Sequence, residues 1–103
     1  MSGSQISEIE VKDLEKYVKA GCVLIDVREE DEIEAAGTID GCKIFPLSHF
    51  DDFKNQFPTD KDIVFFCRSG RRSLKAAELA SAWTKKHLYS LAGGFIAYSS
   101  EKK

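Results

Sequence analysis

Short apolar runs alternate along the chain with segments in which apolar residues recur every three or four positions. Residues 22–27 and 62–67 are nearly continuous apolar runs rich in β-branched or aromatic side chains, which is typical of strands buried on both faces. Shorter apolar segments predict two further strands, at residues 43–45 before Pro46 and at residues 88–91.

The segments between these runs carry helical patterns. Ala76, Leu79 and Trp83 lie on one face of a predicted helix over residues 72–86. Residues 47–57 predict a helix that ends at Pro58, and residues 95–102 predict a short closing helix. The charged stretch 28–36 predicts a loop with a helical turn.

Residues 7–10 carry the pattern of a helix N-terminus. Ser7 is placed to cap the helix and Glu10 to reach back to it, as in a capping box. Apolar residues from Val11 to Val18 then share one face, and Gly21 is placed to end the helix in the left-handed conformation. Because helical and strand-like segments alternate, the order predicts an α/β domain with a mainly parallel sheet covered by helices.

Composition restricts the class of protein further. A length of 103 residues corresponds to one domain, and 43% hydrophobic with 31% charged residues is a globular balance. A net charge of −2 argues against a general nucleic-acid-binding protein. No apolar run approaches the roughly 18 residues that span a bilayer. Residues 1–5 are polar and lack a signal-peptide core, so we expect a cytoplasmic protein with no membrane or nucleic-acid partner.

The cysteines and histidines predict no structural metal or disulfide framework. Three cysteines, an odd number, favour a reducing compartment, and no Cys-x-x-Cys pair is present. His49 and His87 match no metal-ligand spacing. Cys22 and Cys42 are predicted to be packing residues, with the role of a resolving thiol for Cys67 left open.

The polar loop Cys67-Arg68-Ser69-Gly70-Arg71-Arg72-Ser73 carries the candidate chemistry. It contains three arginines and no carboxylate, and it joins a buried strand to the N-terminus of a predicted helix. Main-chain N–H groups in such a loop can converge on an anion, with the helix dipole adding positive potential. These conditions lower the pKa of a cysteine from about 8.5 to between about 3.5 and 7.5, so Cys67 is the predicted nucleophile.

The length of the loop separates two kinds of cysteine chemistry. Phosphatases with a cysteine nucleophile need Cys-x5-Arg, whose arginine clamps two phosphate oxygens. Counting from Cys67, that position holds Ser73, whereas Arg72 closes a shorter Cys-x4-Arg loop. The shorter ring suits a single sulfur atom or a small anion better than a phosphoryl group.

At this point the sequence resembles the rhodanese-like domain family, and within it the short single-domain sulfurtransferases. The resemblance runs from about residue 6 to residue 100. In four positions outside the loop the chain departs from the family pattern, at Thr38, Asp40, Cys42 and Tyr98. The resemblance is carried by residues 24–28 with Glu32-Ile33, residues 37–41 with 44–47, residues 63–73, and residues 91–94 with Ala97-Tyr98.

The resemblance implies a fold and an activity. The expected fold is one domain over residues 1–103 (core about 6–100), with a mainly parallel sheet of about five strands flanked by helices on both faces. The expected activity is thiosulfate sulfurtransfer. Cys67 takes a sulfane sulfur from a small anionic donor and passes it to cyanide, glutathione or another thiol, such as that of a thioredoxin-like protein. The family requires no cofactor or metal, and we expect a monomer or weak dimer.

Several roles stay open at this stage. Arg68 and Arg71 are expected to project outward and attract the donor, whereas Arg72 either faces the substrate or pairs with an internal acid. Asp26 and Arg28 lie at the carboxyl end of a strand expected beside that of Cys67, so Asp26 either supports the loop or forms a structural ion pair.

Two other functions use the same residues. A non-catalytic binding or regulatory module of the same family needs no reactive thiol. A cysteine-dependent phosphatase or arsenate reductase needs the thiolate but is disfavoured by the short loop.

Overall fold

The computed structural model describes residues 5–101. Strand and helix alternate through most of this range, in the order that the apolar pattern predicts. The elements are β1 (Ile6–Ile9), α1 (Val11–Lys19), β2 (Val23–Asp26), α2 (Glu30–Ala36), β3 (Lys43–Ile44), a 3₁₀ segment (Leu47–Gln56), β4 (Ile63–Phe66), α3 (Arg71–Ala80), β5 (Leu88–Leu91) and α4 (Gly94–Glu101).

The five strands form one sheet in the order β1-β5-β4-β2-β3, and each neighbouring pair is parallel. This confirms the predicted α/β class with a parallel sheet. Strand β4 lies in the centre, and its last residue Phe66 is in register with Asp26 of β2. The segments that follow β4 and β2 therefore leave the same edge of the sheet side by side.

Helices cover both faces of the sheet, as predicted. Along β4 the side chains alternate, so Phe65 packs with α3 and the 3₁₀ segment, whereas Phe66 packs with α1 and α4. On the first side the three alanines of α3 are fully buried, which lets this helix approach the sheet closely. All four residues of β4 are fully buried, which explains its unbroken apolar run.

The predicted capping box at residues 7–10 is wrong. Ser7 lies within β1, opposite Tyr89 of β5, and its hydroxyl lies 3.0 Å from Nε2 of His87. Helix α1 begins after Glu10, which makes no side-chain capping bond. The capping prediction failed because residues 6–9 form hydrogen bonds with β5, which is distant in sequence, and this pairing makes them an edge strand of the sheet. Gly21 does adopt the expected positive φ (+104°) after α1.

Three other element boundaries differ from the predictions. Helix α3 ends at Ala80 rather than residue 86, and Trp83 follows in a turn, where its ring stacks on Phe50 at 5.0 Å. The charged stretch contains a two-turn helix, α2, begun by a capping box between Glu29 and Glu32. The segment before Pro58 is a 3₁₀ helix interrupted at His49.

Residue 102, the predicted end of the closing helix, and residues 1–4 lie outside the described residues. Between residues 5 and 101, no helix is both long enough and apolar enough to cross a bilayer.

Candidate active site

Cys67 follows the central strand β4 at its carboxyl end, where ligands of open parallel sheets bind. The loop is short, because α3 begins at Arg71 with Gly70 as its N-terminal cap residue. Gly70 has a φ of +112°, a conformation that residues with a side chain rarely adopt, and this turn folds the loop back over the cysteine. Cys67 itself is only 1% exposed.

Main-chain N–H groups of the loop point at the sulfur of Cys67. The amide of Gly70 donates to Sγ at 3.0 Å and that of Ser73 at 3.4 Å. Both amides belong to the start of α3, so the positive end of the helix dipole faces the same atom. The sulfur therefore occupies a position built to hold negative charge.

Two opposing effects act on the pKa of the Cys67 thiol. Burial, the largest single effect, raises the pKa, whereas hydrogen bonds from the main chain and hydroxyl of Ser73 and from the main chains of Gly70 and Ser69 lower it. The hydrogen bonds together outweigh burial, so the pKa lies below the ordinary value of a cysteine. The lowered pKa increases the fraction of nucleophilic thiolate near neutral pH.

The carbonyl groups of the loop are bound on its outer side by α4. The amide of Phe95 donates to the carbonyl oxygen of Cys67 at 2.7 Å, and that of Ile96 donates to Arg68 at 3.1 Å. A side chain at Gly94 would meet the carbonyl oxygen of Cys67 and would lie 2.6 Å from that of Arg68. Sequence analysis used residues 91–94 as part of a family motif and did not predict this close approach, for which the paired glycines Gly93-Gly94 were the available signal.

A pair of buried hydroxyl groups supports the loop from below. Oγ of Ser73 lies 3.6 Å from Sγ of Cys67, 3.0 Å from the carbonyl oxygen of Gly70 and 2.7 Å from Oγ of Ser90 on β5. Ser90 is fully buried and also lies 3.4 Å from the Gly70 carbonyl. When the hydroxyl of Ser90 donates to the carbonyl oxygen of Gly70, the hydroxyl of Ser73 can donate its single proton to the sulfur of Cys67. Sequence reasoning missed Ser90, although a serine within a short apolar strand was a usable signal.

The three loop arginines have different surroundings. Arg68 and Arg71 are exposed, and neither forms an ion pair with a residue in the range 5–101. Arg72 instead binds Glu32 of α2 through two hydrogen bonds of 2.6 and 2.7 Å. Bonding to Arg72 lowers the pKa of Glu32 to about 2. The sequence left two roles open for Arg72, facing the substrate or pairing with an internal acid. In the structure Arg72 pairs with an acid, Glu32.

Asp26 and Arg28 form a buried ion pair beside the loop. Both are nearly inaccessible, and Nη2 of Arg28 lies 2.8 Å from Oδ2 of Asp26. Within the described residues, the side-chain bonds of the Asp26 carboxylate go to Arg28 and to the hydroxyl of Thr38, not to residues 67–73. The guanidinium of Arg28 lies 4.3 Å from the ring centre of Phe95, so this pair contacts α4, whose amides bind the carbonyl groups of the loop.

The other cysteines lie apart from Cys67. Cys22 and Cys42 pack against the core on the α1 and α4 side of the sheet, whereas Cys67 belongs to the core on the opposite side. Burial is the main effect that raises the pKa of both thiols. His49 is exposed and lies 3.0 Å from the hydroxyl of Ser48. Residues 5–101 contain no group of three or more side chains arranged to hold a metal.

Comparisons with known proteins agree with this geometry. A putative sulfurtransferase of Bacillus subtilis, YtwF, is 31% identical over 101 residues and is matched over 96% of both chains. The rhodanese-like/PpiC domain-containing protein 12 of Arabidopsis thaliana is 34% identical over 99 residues, but the chain spans only 33% of its length. The solved human single-domain sulfurtransferase TSTD1 superposes with a TM-score of 0.76 at 25% identity, covering 93% of this chain and 97% of that one.

A family model, the rhodanese-like domain, matches residues 10–101, which include every element from α1 to α4. Two of the similar proteins above are named as sulfurtransferases. The chain belongs to the rhodanese-like domain family.

Proposed function

We propose that the protein moves a sulfane sulfur from thiosulfate to a thiol acceptor through a persulfide on Cys67. The observation that carries the proposal is the pair of main-chain amides that donate to Sγ of Cys67 within a loop closed at Arg72. This arrangement favours the thiolate, which is the form that attacks sulfur. No base is required, because the nucleophile is ionised before the donor arrives.

In the first half-reaction the Cys67 thiolate attacks the outer sulfur of thiosulfate. A bond forms between Sγ and that sulfur, the sulfur–sulfur bond of thiosulfate breaks, and sulfite leaves with the electron pair. The amides of Gly70 and Ser73 then face the persulfide. Exposed Arg68 and Arg71 supply positive charge that attracts the dianionic donor, whereas the charge of Arg72 is already balanced by Glu32.

In the second half-reaction the acceptor removes the outer sulfur. After the persulfide takes a proton from water, a thiolate attacks its outer sulfur, the bond to Sγ breaks, and Cys67 leaves as a thiolate. The acidity of Cys67 assists this step as well, because a thiol of low pKa is a good leaving group. Cyanide serves as a small acceptor in an assay. We expect the reaction to run in the reducing cytoplasm, where the free thiols of Cys22, Cys42 and Cys67 persist.

Mass spectrometry after incubation with thiosulfate tests the proposal. The peptide that contains Cys67 should gain about 32 Da, the mass of one sulfur atom, in the covalent step. Peptides with Cys22 or Cys42 are internal controls and should stay unmodified. The added mass should disappear on addition of cyanide. A protein that never gains the sulfur would be a binding module instead, and turnover of an aryl phosphate without thiosulfate turnover would indicate phosphatase chemistry.

A further inference from the structure

Two consecutive carbonyl groups of the Cys67 loop face α4. The carbonyl oxygen of Cys67 accepts from the amide of Phe95 at 2.7 Å, and that of Arg68 accepts from the amide of Ile96 at 3.1 Å. Both donors belong to the first turn of α4, and N–H groups in a first turn have no partner within their own helix. The start of α4 therefore binds the outer side of the loop through main-chain atoms.

The direction of a carbonyl group fixes the direction of the amide in the same peptide unit. In a planar trans unit the C=O and N–H groups point in opposite directions. The carbonyl of Arg68 and the N–H of Ser69 share one unit, so a carbonyl held by α4 turns that N–H toward the inner side of the loop. From this side Gly70 and Ser73 donate to the sulfur of Cys67, and the main chain of Ser69 likewise lowers the pKa of the thiol.

Gly94 permits the close approach of α4 to these carbonyl groups. A Cβ atom at residue 94 would meet the carbonyl oxygen of Cys67, and would lie 2.6 Å from the carbonyl oxygen and 2.7 Å from the carbonyl carbon of Arg68. These are main-chain atoms, which cannot swing aside as the end of a long side chain can. Any side chain at residue 94 would therefore separate α4 from the loop.

The first turn of α4 acts on the loop without charge. Residues 94–97 are Gly-Phe-Ile-Ala and carry no titratable side chain. The charged groups near the sulfur lie on other elements: Arg72 of α3, which binds Glu32, and the buried ion pair beside β4. The influence of α4 on the thiol is therefore exerted through the position of the peptide units.

We propose that Gly94 is a positioning residue for the nucleophile. It admits the first turn of α4 to the carbonyl groups of Cys67 and Arg68, and this contact holds the amide of Ser69 toward the reactive sulfur. The action of Gly94 is indirect, through the peptide units of the loop. The inference rests on the proposed function for the identity of the nucleophile, and it concerns the free thiol before a donor arrives.

The pH dependence of Cys67 alkylation by iodoacetamide tests this role, because the thiolate is the form that reacts. In Gly94→Ala the new Cβ atom forces α4 away from the loop, so the midpoint of the alkylation profile should move to higher pH. The rate at neutral pH should fall severalfold. Mass spectrometry follows the peptide of Cys67 separately from those of Cys22 and Cys42. A midpoint that stays at the wild-type pH would overturn the proposal.

Gly21→Ala is the matched control for backbone strain. Gly21 also has a positive φ, of +104°, but an added Cβ atom there would have no atom within 4 Å. This variant should lower the unfolding midpoint, as Gly94→Ala does, while its alkylation profile stays that of the wild type. An equal shift of the profile in both variants would assign the effect to general destabilisation and contradict the role of Gly94.

A second pair of variants tests the hydrogen bond to Arg68 and does not depend on the folding of Gly94→Ala. Ile96→Pro removes the N–H group that donates to the Arg68 carbonyl, and proline is tolerated in the first turn of a helix. Ile96→Ala loses the same side chain, which is 51% exposed, but keeps the amide. Only the proline variant should shift the alkylation profile to higher pH, and its Ser69 amide resonance should respond less to ionisation of Cys67. Identical profiles for the two variants would exclude the proposed coupling.

Sulfur transfer distinguishes failure of this inference from failure of the proposed function. Alkylation requires no sulfur donor, so a shifted profile in Gly94→Ala supports the inference even if thiosulfate never modifies Cys67, a result that would contradict only the proposed function. If thiosulfate does modify Cys67, kcat/KM of Gly94→Ala should be reduced at neutral pH and should approach that of the wild type at high pH, where both thiols are ionised. A loss that is independent of pH would mean that Gly94 acts through packing alone, and would overturn the positioning role.

Discussion

Cys67 is buried and Cys42 is half-buried, and each lies near a hydroxyl group, yet the pKa values of their thiols shift in opposite directions. Burial raises both. For Cys67 the effect is reversed by hydrogen bonds from Ser73, Gly70 and Ser69, and the pKa is lowered. For Cys42 the hydroxyl of Thr38 lies 3.3 Å away, but burial and the nearby Asp26 carboxylate keep the pKa raised.

Main-chain N–H groups and a hydroxyl lower the pKa of both thiols, but they outweigh burial only at Cys67, whereas the Asp26 carboxylate opposes them at Cys42. Around Cys67 a tight turn and a helix N-terminus direct several N–H groups at one atom, and N–H groups can only donate. Near Cys42 the hydroxyl of Thr38 lowers the pKa of the thiol, but Thr38 also donates to the Asp26 carboxylate, whose charge raises it. A thiol becomes reactive where fixed donors converge on it, and burial alone makes it less acidic.

Replacing the two cysteines should give the largest contrast. Cys67→Ser should reduce thiosulfate–cyanide turnover by at least about ten-thousandfold, because a serine hydroxyl is not ionised at neutral pH and cannot carry the persulfide. Cys42→Ser should retain most of the activity, since its sulfur lies on the opposite side of the sheet. Comparable losses in both variants would remove the distinction between the two sites.

The Cys42 region should matter for stability instead, because it surrounds a buried ion pair. Asp26→Asn leaves the guanidinium of Arg28 buried without a countercharge, and should lower the free energy of unfolding by about 3–5 kcal/mol. Urea denaturation measures this change. Lys19→Gln, which breaks an exposed pair with Glu15, should leave the unfolding midpoint nearly unchanged. Similar midpoints for the two variants would show that the buried pair contributes little.

Ser90 should influence the acidity of Cys67 through Ser73. The Gly70 carbonyl has two hydroxyl donors within reach, Ser73 at 3.0 Å and Ser90 at 3.4 Å, so Ser73 can donate to the thiolate when Ser90 donates to Gly70. In Ser90→Ala the hydroxyl of Ser73 is the one of these two that remains for Gly70, so the thiolate loses a donor and the pKa of Cys67 rises. The direction of this shift follows from the loss of a donor to the thiolate. The acid limb of kcat/KM for thiosulfate and the ultraviolet thiolate absorbance should both move to higher pH.

Ser90→Thr keeps a hydroxyl at this position and should restore most of the original pH profile. If Ser90 had only a structural role, Ser90→Ala would lower the free energy of unfolding and leave the pH profile of kcat/KM unchanged.

The smallest effect is expected at the ion pair between Glu32 and Arg72. The two side chains are 30% and 34% exposed, so Glu32→Gln should cost about 1 kcal/mol or less at neutral pH. The folded-state pKa of Glu32 is lowered from 4.5 to about 2, so its contribution to stability is present above pH 4.5 and is lost as the pH falls toward 2. Unfolding free energies of the wild type and the variant should therefore converge in acid. A gap that stays constant down to that pH would exclude this ion pair as its source.

Part of the active site could be predicted because its signals are local. The nucleophile, the glycine and the loop arginines lie within seven consecutive residues, between a run of apolar residues and a helical pattern. Contacts between near neighbours in sequence, such as that from the amide of Gly70 to Cys67, follow from the turn itself. The alternation of strand-like apolar runs with segments of helical apolar spacing likewise predicted the α/β class.

Strand β1 could not be predicted, because its four residues carry no strand pattern and a misleading capping pattern. It forms because β5, about eighty residues later, offers an open edge for pairing. Arg72 and Glu32 are 40 residues apart, and Ser73 and Ser90 are 17 apart. No spacing rule connects such positions.

By itself the sequence determined the candidate nucleophile Cys67, the short loop around it and the order of strands and helices, since each depends on residues adjacent along the chain. Only the tertiary structure decided which groups hold the outer side of that loop. The amides of α4, the hydroxyl of Ser90 and the carboxylate of Glu32 reach it because parallel strands end at one edge of the sheet, and their connections bring distant segments together there. The main-chain amides within the loop lower the pKa of the Cys67 thiol, whereas Ser90, α4 and Glu32 fix the position of the groups around it.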